Sequence, residues 1–136
     1  MRNFLFMMVA GVMMGLSACT PVSSSTSTKS SNMLRHVVLF KFQDSASAAD
    51  VESLHQAFQN LKAEIPVIQD FEWGLNDSPE DFHQGFTHCY VLSFLSEADR
   101  DSVYTPHPAH QAFVASLQPH LEKVFVVDFW ANPVGK

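Results

Sequence analysis

From Met33 to Trp130 the chain switches between two rhythms of apolar and polar positions, one with a period of two and one of about 3.6 residues. Met33–Phe42, MLRHVVLFKF, is short and rich in Val, Leu and Phe, which predicts a strand. Leu34, His36, Val38, Phe40 and Phe42 share one face and Val37 and Leu39 the other, so burial on both sides is expected. His36 stands on an apolar face and needs a partner or a pocket. Ser47-Ala48-Ala49-Asp50 has the Ser-x-x-acid form of a capping box. Val51, Leu54, Phe58, Leu61 and Ile65 follow at helical spacing, predicting a helix that ends before Pro66.

The second half repeats these signals. Val67–Leu75 alternates Phe71 and Trp73 with Asp70 and Glu72, a strand with one wet face. Asn76–Gly85 is polar, contains Pro79 and reads as a loop. Phe86–Leu95, FTHCYVLSFL, is a third strand. Ser96-Glu97-Ala98-Asp99 repeats the capping-box form and opens a short helix to about Val103, which Pro106 breaks. Pro108 suits the first turn of a new helix carrying His110, Phe113, Val114 and Leu117, with a break at Pro119. Lys123–Trp130, KVFVVDFW, is the last strand. The order β-α-β-β-α-β is the ferredoxin-like plan, an α+β fold with an antiparallel sheet and its helices on one face. The other sheet face is then bare and too apolar for water, so a second copy is expected to cover it.

Composition extends the picture upstream. Met1-Arg2-Asn3 precedes an apolar run from Phe4 to Leu16, shorter than the roughly 20 residues a membrane-crossing helix needs. Its flanks are those of a signal peptide, residues 1–18. Leu16-Ser17-Ala18-Cys19 resembles the lipobox of bacterial lipoproteins, which implies that Cys19 becomes a lipid-bearing N-terminus; multiple acyl chains give a stable membrane anchor. Thr20 after the Cys favours the outer membrane of the cell envelope. Residues 20–32 are Ser/Thr-rich with almost no apolar content, which predicts a flexible tether, leaving one domain over 33–136. Removing the leader takes away one of eight basic residues and none of fourteen acidic ones. Such an acidic domain is a poor partner for nucleic acid. Beyond Cys19 the chain has a single cysteine, Cys89, set in an apolar run where a free thiol behaves as a small hydrophobe.

Arg35-His36-Val37-Val38-Leu39-Phe40-Lys41-Phe42, Trp73-Gly74, Gly85-Phe86-Thr87-His88 and His107-Pro108-Ala109-His110, with Val127-Asp128-Phe129 in the last strand, together resemble the stress-responsive A/B barrel (Dabb) family. The resemblance implies a dimeric α+β barrel, or a ring of dimers. It also implies, by likeness to a plant polyketide cyclase of the family, a cofactor-free aldol closure. The cyclase segment Tyr-x-x-His-Pro-x-His falls on Tyr104 to His110, which makes Tyr104 and His110 the expected catalytic pair. His36 and His88 fall on pocket histidines. Phe58 stands where the cyclase has a pocket Tyr, a departure that removes a hydroxyl.

The chemistry can also be argued from the side chains. An aldol closure needs a base for the proton beside a carbonyl and a donor for the oxygen as charge builds there. A neutral imidazole suits the first role and a phenol the second. His110 is thus the expected base, Tyr104 the donor, and His36 and His88 substrate-orienting groups for a small, apolar carbonyl compound. Three alternatives stand beside this one. His110 can be a core histidine, and the domain a non-catalytic binding or structural oligomer linked to stress. His36, His88, His107 and His110 can offer imidazoles to a metal, but no carboxylate or Cys completes a recognised set. A cofactor-free monooxygenase follows only from fold analogy. His107 is expected at an exposed helix start, and His55, His83 and His120 on the solvated surface. An envelope protein does not meet coenzyme-A thioesters, which argues against the cyclase's own substrate.

Overall fold

The computed structural model describes residues 32–132; the proposed leader, Cys19 and most of the tether lie outside them. Strand β1 spans Leu34–Phe42 and helix α1 spans Ala48–Glu64. Strands β2 and β3 span Asp70–Leu75 and His88–Phe94. After a π-helical turn over Asp99–Tyr104 come helix α2, Pro108–Leu117, a 3₁₀ turn and strand β4, Leu121–Trp130. The four strands form one antiparallel sheet in the order β2-β3-β1-β4. This is the expected ferredoxin-like βαββαβ fold. No helix among the described residues is long and apolar enough to cross a membrane.

Local chemistry explains the ends of α1. Ser47 Oγ accepts from the Asp50 N–H at 3.1 Å, and Asp50 Oδ2 accepts from the Ser47 N–H at 3.0 Å, which satisfies two donors at the helix start. The Ser47–Asp50 bonds also hold the Asp50 carboxyl below its ordinary range. Ser47→Ala should therefore cost about 1 kcal/mol of stability, read as a lower midpoint in urea with unchanged slope.

Register decides which side chains share the helix-covered face. His36 stands opposite Leu92 on β3 and Asp128 on β4, Val38 opposite Tyr90 and Val126, and Phe40 opposite His88 and Val124. The helices bury this face around Leu34, Val38, Phe40, Phe58, Tyr90 and Phe113. Phe58 stacks on Phe113 with ring centroids 4.5 Å apart, the contact that joins α1 to α2. On the opposite sheet face Phe125, Val127 and Phe129 are 51%, 44% and 50% exposed, far more apolar surface than an isolated sheet leaves to water.

Two local expectations are corrected. His55 is not on the solvated surface but buried, its ring 3.8 Å from that of Trp73 and its Nδ1 3.3 Å from the Tyr90 hydroxyl. The stripe of α1 is wide enough to include the position after Leu54, and Trp73 on β2 roofs it. The segment after Ser96 is not a short α-helix. Asp99 N–H does bond Ser96 Oγ, but the Thr105 N–H and hydroxyl both donate to the Arg100 carbonyl, a five-residue step.

Candidate active site

A cavity of about 290 Å³ opens between α2 and the β1–β4 side of the sheet. Its walls are apolar, with Val38, Phe40, Phe58, Phe113 and Leu117 inside and the half-exposed Val124 and Val126 at the β4 lip. One end is polar and is built from His36, Tyr104 and His110. The π-helical turn and the cap of α2 deliver two of these groups. The turn ends on Tyr104, which is buried. His107 then caps α2 by accepting from the Ala109 N–H at 3.2 Å, and Pro108 fills the first helical position, where no donor is needed. His110 follows in the first turn, its ring centroid 4.3 Å from that of Tyr104. His36 reaches the same end from β1, 5.8 Å from Tyr104 between ring centroids.

The hydrogen bonds fix what each ring offers. His110 Nδ1 donates to the Thr105 carbonyl at 3.0 Å, and His36 Nδ1 donates to Asp128 Oδ1 at 2.7 Å. Carbonyl and carboxylate oxygens only accept, so both neutral rings carry the proton on Nδ1 and keep a lone pair on Nε2. Burial pushes the His110 imidazole below its ordinary value of 6.5; the Thr105 bond acts against this, and His36 and His107 add to it. Burial, with the nearby Asp128 charge, pushes the Tyr104 phenol up, so it stays a donor. The Tyr104 hydroxyl has no hydrogen-bond partner among the described residues, and every fully buried side-chain polar atom there has one, so this hydroxyl opens on the cavity. The polar end thus combines a base with a raised donor.

The structure brings together four of the five expected site residues. Tyr104, His110, His36 and Phe58 all line the cavity. His88 does not reach it. Its ring packs edge-on against Phe42 at 5.1 Å, Phe40 stands opposite it in register, and its Nδ1 bonds Thr87 Oγ1 at 2.8 Å. His88 lines a separate cleft of about 300 Å³ beside the 76–87 loop, and its pKa is lowered by burial and by His55. Cys89 beside it has its thiol pushed up by burial, which keeps it protonated and weakly nucleophilic. Among the described residues no three His, Cys, Asp or Glu side chains gather into a metal-ligand set.

Two residues beside the site were given no role from the sequence. Asp128 orients His36, and Arg100 Nη1 lies 3.4 Å from Asp128 Oδ2. The signal for Asp128 was a single acid in an apolar strand, two and four positions after Val126 and Val124 and therefore on their face.

A ferredoxin-like domain with a mostly apolar cavity and a Tyr–His pair at one end defines a class of small α+β barrel proteins. The chain belongs to the stress-responsive A/B barrel (Dabb) domain family, whose model matches residues 34–131. It is 35% identical over 102 residues to the stress-response A/B barrel domain-containing protein HS1 of Arabidopsis thaliana, covering 75% of this chain and 93% of that protein. Olivetolic acid cyclase of Cannabis sativa is 30% identical over 97 residues, covering 71% and 94%. Among solved structures, a hydroxynitrile lyase from Passiflora edulis superposes with a TM-score of 0.71 at 26% identity, covering 79% of this chain and all of that one. A dimeric ferredoxin-like protein of unknown function from Thermobifida fusca gives 0.62 at 26% identity, covering 73% and 92%.

Proposed function

We propose that this protein binds a small, apolar carbonyl compound in the cavity and catalyses a cofactor-free, base-assisted reaction of the cyclase or lyase type. The observation that carries the reading is the Tyr104–His110 pair, 4.3 Å apart at the polar end of an apolar cavity. His110 Nε2 removes the proton from the carbon beside the carbonyl. Tyr104 donates its hydroxyl to the carbonyl oxygen as negative charge develops there. His36, oriented by Asp128, holds or returns a proton at the same end. Phe58 forms part of the apolar floor beneath the ligand. A relative named a cyclase and a structural neighbour named a lyase support the reaction type.

The setting is proposed with the same reading. The exposed apolar sheet face and dimeric relatives of this fold support a homodimer. The leader ending in Leu16-Ser17-Ala18-Cys19 supports a lipid anchor at Cys19 in the bacterial cell envelope, with the domain tethered through residues 20–32.

Tyr104→Phe tests the site. It keeps the ring packed and removes only the hydroxyl, which has no hydrogen-bond partner among the described residues. Once a screen of β-keto and aromatic carbonyl compounds finds turnover, the variant is expected to lose about 10²–10³-fold in kcat with an unchanged melting temperature. Full turnover in the variant removes Tyr104 from the mechanism.

A further inference from the structure

We infer that the cavity selects uncharged ligands and rejects carboxylates, and that Asp128 is the residue that sets this preference. The inference rests on the small-molecule reading above and narrows it to a charge class.

Among the described residues, no lysine or arginine lines the cavity. The guanidinium that approaches the polar end, Arg100, is already engaged. Its Nε and Nη2 hold Asp101 at 2.7 and 3.2 Å, and its Nη1 reaches Asp128 at 3.4 Å. One positive group against two carboxylates leaves this corner net negative. The imidazoles do not supply the missing positive charge in their neutral form. Asp128 takes the Nδ1 proton of His36 and the Thr105 carbonyl takes that of His110, so each ring has only its Nε2 lone pair left for a ligand. The Tyr104 phenol, raised by burial and by the Asp128 charge, is a neutral donor at this end, and Thr105 and Gln118, which also line the cavity, add no positive charge.

A ligand entering this end therefore meets two lone pairs, one hydroxyl and a nearby carboxylate, with apolar walls behind it. A ketone suits that set. Its oxygen accepts from Tyr104, and its acidic C–H or enol O–H faces the imidazoles. A carboxylate would leave water for a site whose described lining offers only neutral donors and no counter-charge, which is costly. Asp128 strengthens this by holding His36 with its lone pair inward and by adding its own field at short range in a medium less polarisable than water.

The experiment titrates purified full-length protein with an alkyl phenyl ketone and with a phenylalkanoate of matched size, followed through the ring NMR signals of His36 and His110. At about pH 7.5 the ketone is expected to bind and the carboxylate to bind at least about tenfold more weakly. Asp128→Asn keeps an oxygen for the His36 bond and removes the charge, and should bring the two within about threefold. Equal or tighter binding of the carboxylate to the native protein overturns the charge selection and leaves the small-molecule site standing. A gap that survives Asp128→Asn overturns the assignment to Asp128. If neither compound moves the ring signals, the small-molecule reading falls with it.

Discussion

Replacing His110 by alanine is expected to cost about 10²–10⁴-fold in turnover while leaving the fold intact. Its ring lies closer to the phenol ring of Tyr104, at 4.3 Å between centroids, than the His36 ring does at 5.8 Å. Its loss breaks one protein hydrogen bond, to the Thr105 carbonyl, and that carbonyl keeps the Gln111 side-chain donor at 2.7 Å. No buried acceptor is stranded, so the melting temperature should move little. The opposite pattern, a large fall in melting temperature with turnover kept, makes His110 a core histidine.

The pH dependence carries a second readout of the same residue. Burial holds the His110 imidazole below 6.5, so the neutral, basic ring dominates at neutral pH. Turnover should be flat through neutrality and fall only as pH drops below about 6.5 toward the depressed value. The sign for stability follows from proton binding. The unfolded chain takes up this proton more readily than the folded one, so the stability is fully present above the unfolded value. It is lost as pH falls through that value and levels off below the folded one. His88 is shifted in the same direction and adds to the slope. Thermal melts between about pH 7.5 and about pH 5.5 should therefore show native protein weakening on acidification, and His110→Ala should flatten that slope by its own share.

Phe58→Ala is expected to destabilise the domain by about 3–5 kcal/mol, the largest stability effect of any substitution considered. Phe58 is 2% exposed and stacks on Phe113 at 4.5 Å, with Tyr90 at 4.8 Å and Phe71 at 5.2 Å around it. It is the joint between α1, α2 and the sheet. Removing the ring leaves an unfilled space that these aromatic neighbours, themselves closely packed, can close only in part. The same space would open into the cavity floor. Phe58→Tyr separates packing from polarity. It keeps the ring and adds a hydroxyl, so a hydroxyl accommodated at the cavity edge should preserve most of the stability. Chemical denaturation of the native protein and both variants, read with a constant slope, measures the difference. A loss below about 1 kcal/mol for Phe58→Ala would show that the α1–α2 joint is held elsewhere.

The elements were legible in the sequence because their causes are local. Ser47 and Asp50 announce the start of α1 within four residues, Pro108 marks the first turn of α2, and the strands carry their own alternation. The Tyr104–His110 pair was legible through the family resemblance of the segment that holds both, and in the fold one turn and one helix start set the two rings, six positions apart, side by side. The bare, apolar sheet face also followed from strand composition.

What only the tertiary structure decided lies in contacts between distant elements. His36 finds Asp128 across 92 residues of chain, through the register of β1 with β4, and no local pattern specifies a register. The same register sets Phe40 opposite His88 and keeps that histidine out of the cavity to which its family likeness assigned it. His55 is buried because Trp73 from another strand covers it, which its polar character and helical position do not reveal. The sequence by itself determined which segments form helices and strands and which end of α2 carries the proposed chemistry. The packing of those segments determined which charges surround that chemistry, because a field at one point in space is the sum over groups that meet only once the chain is folded.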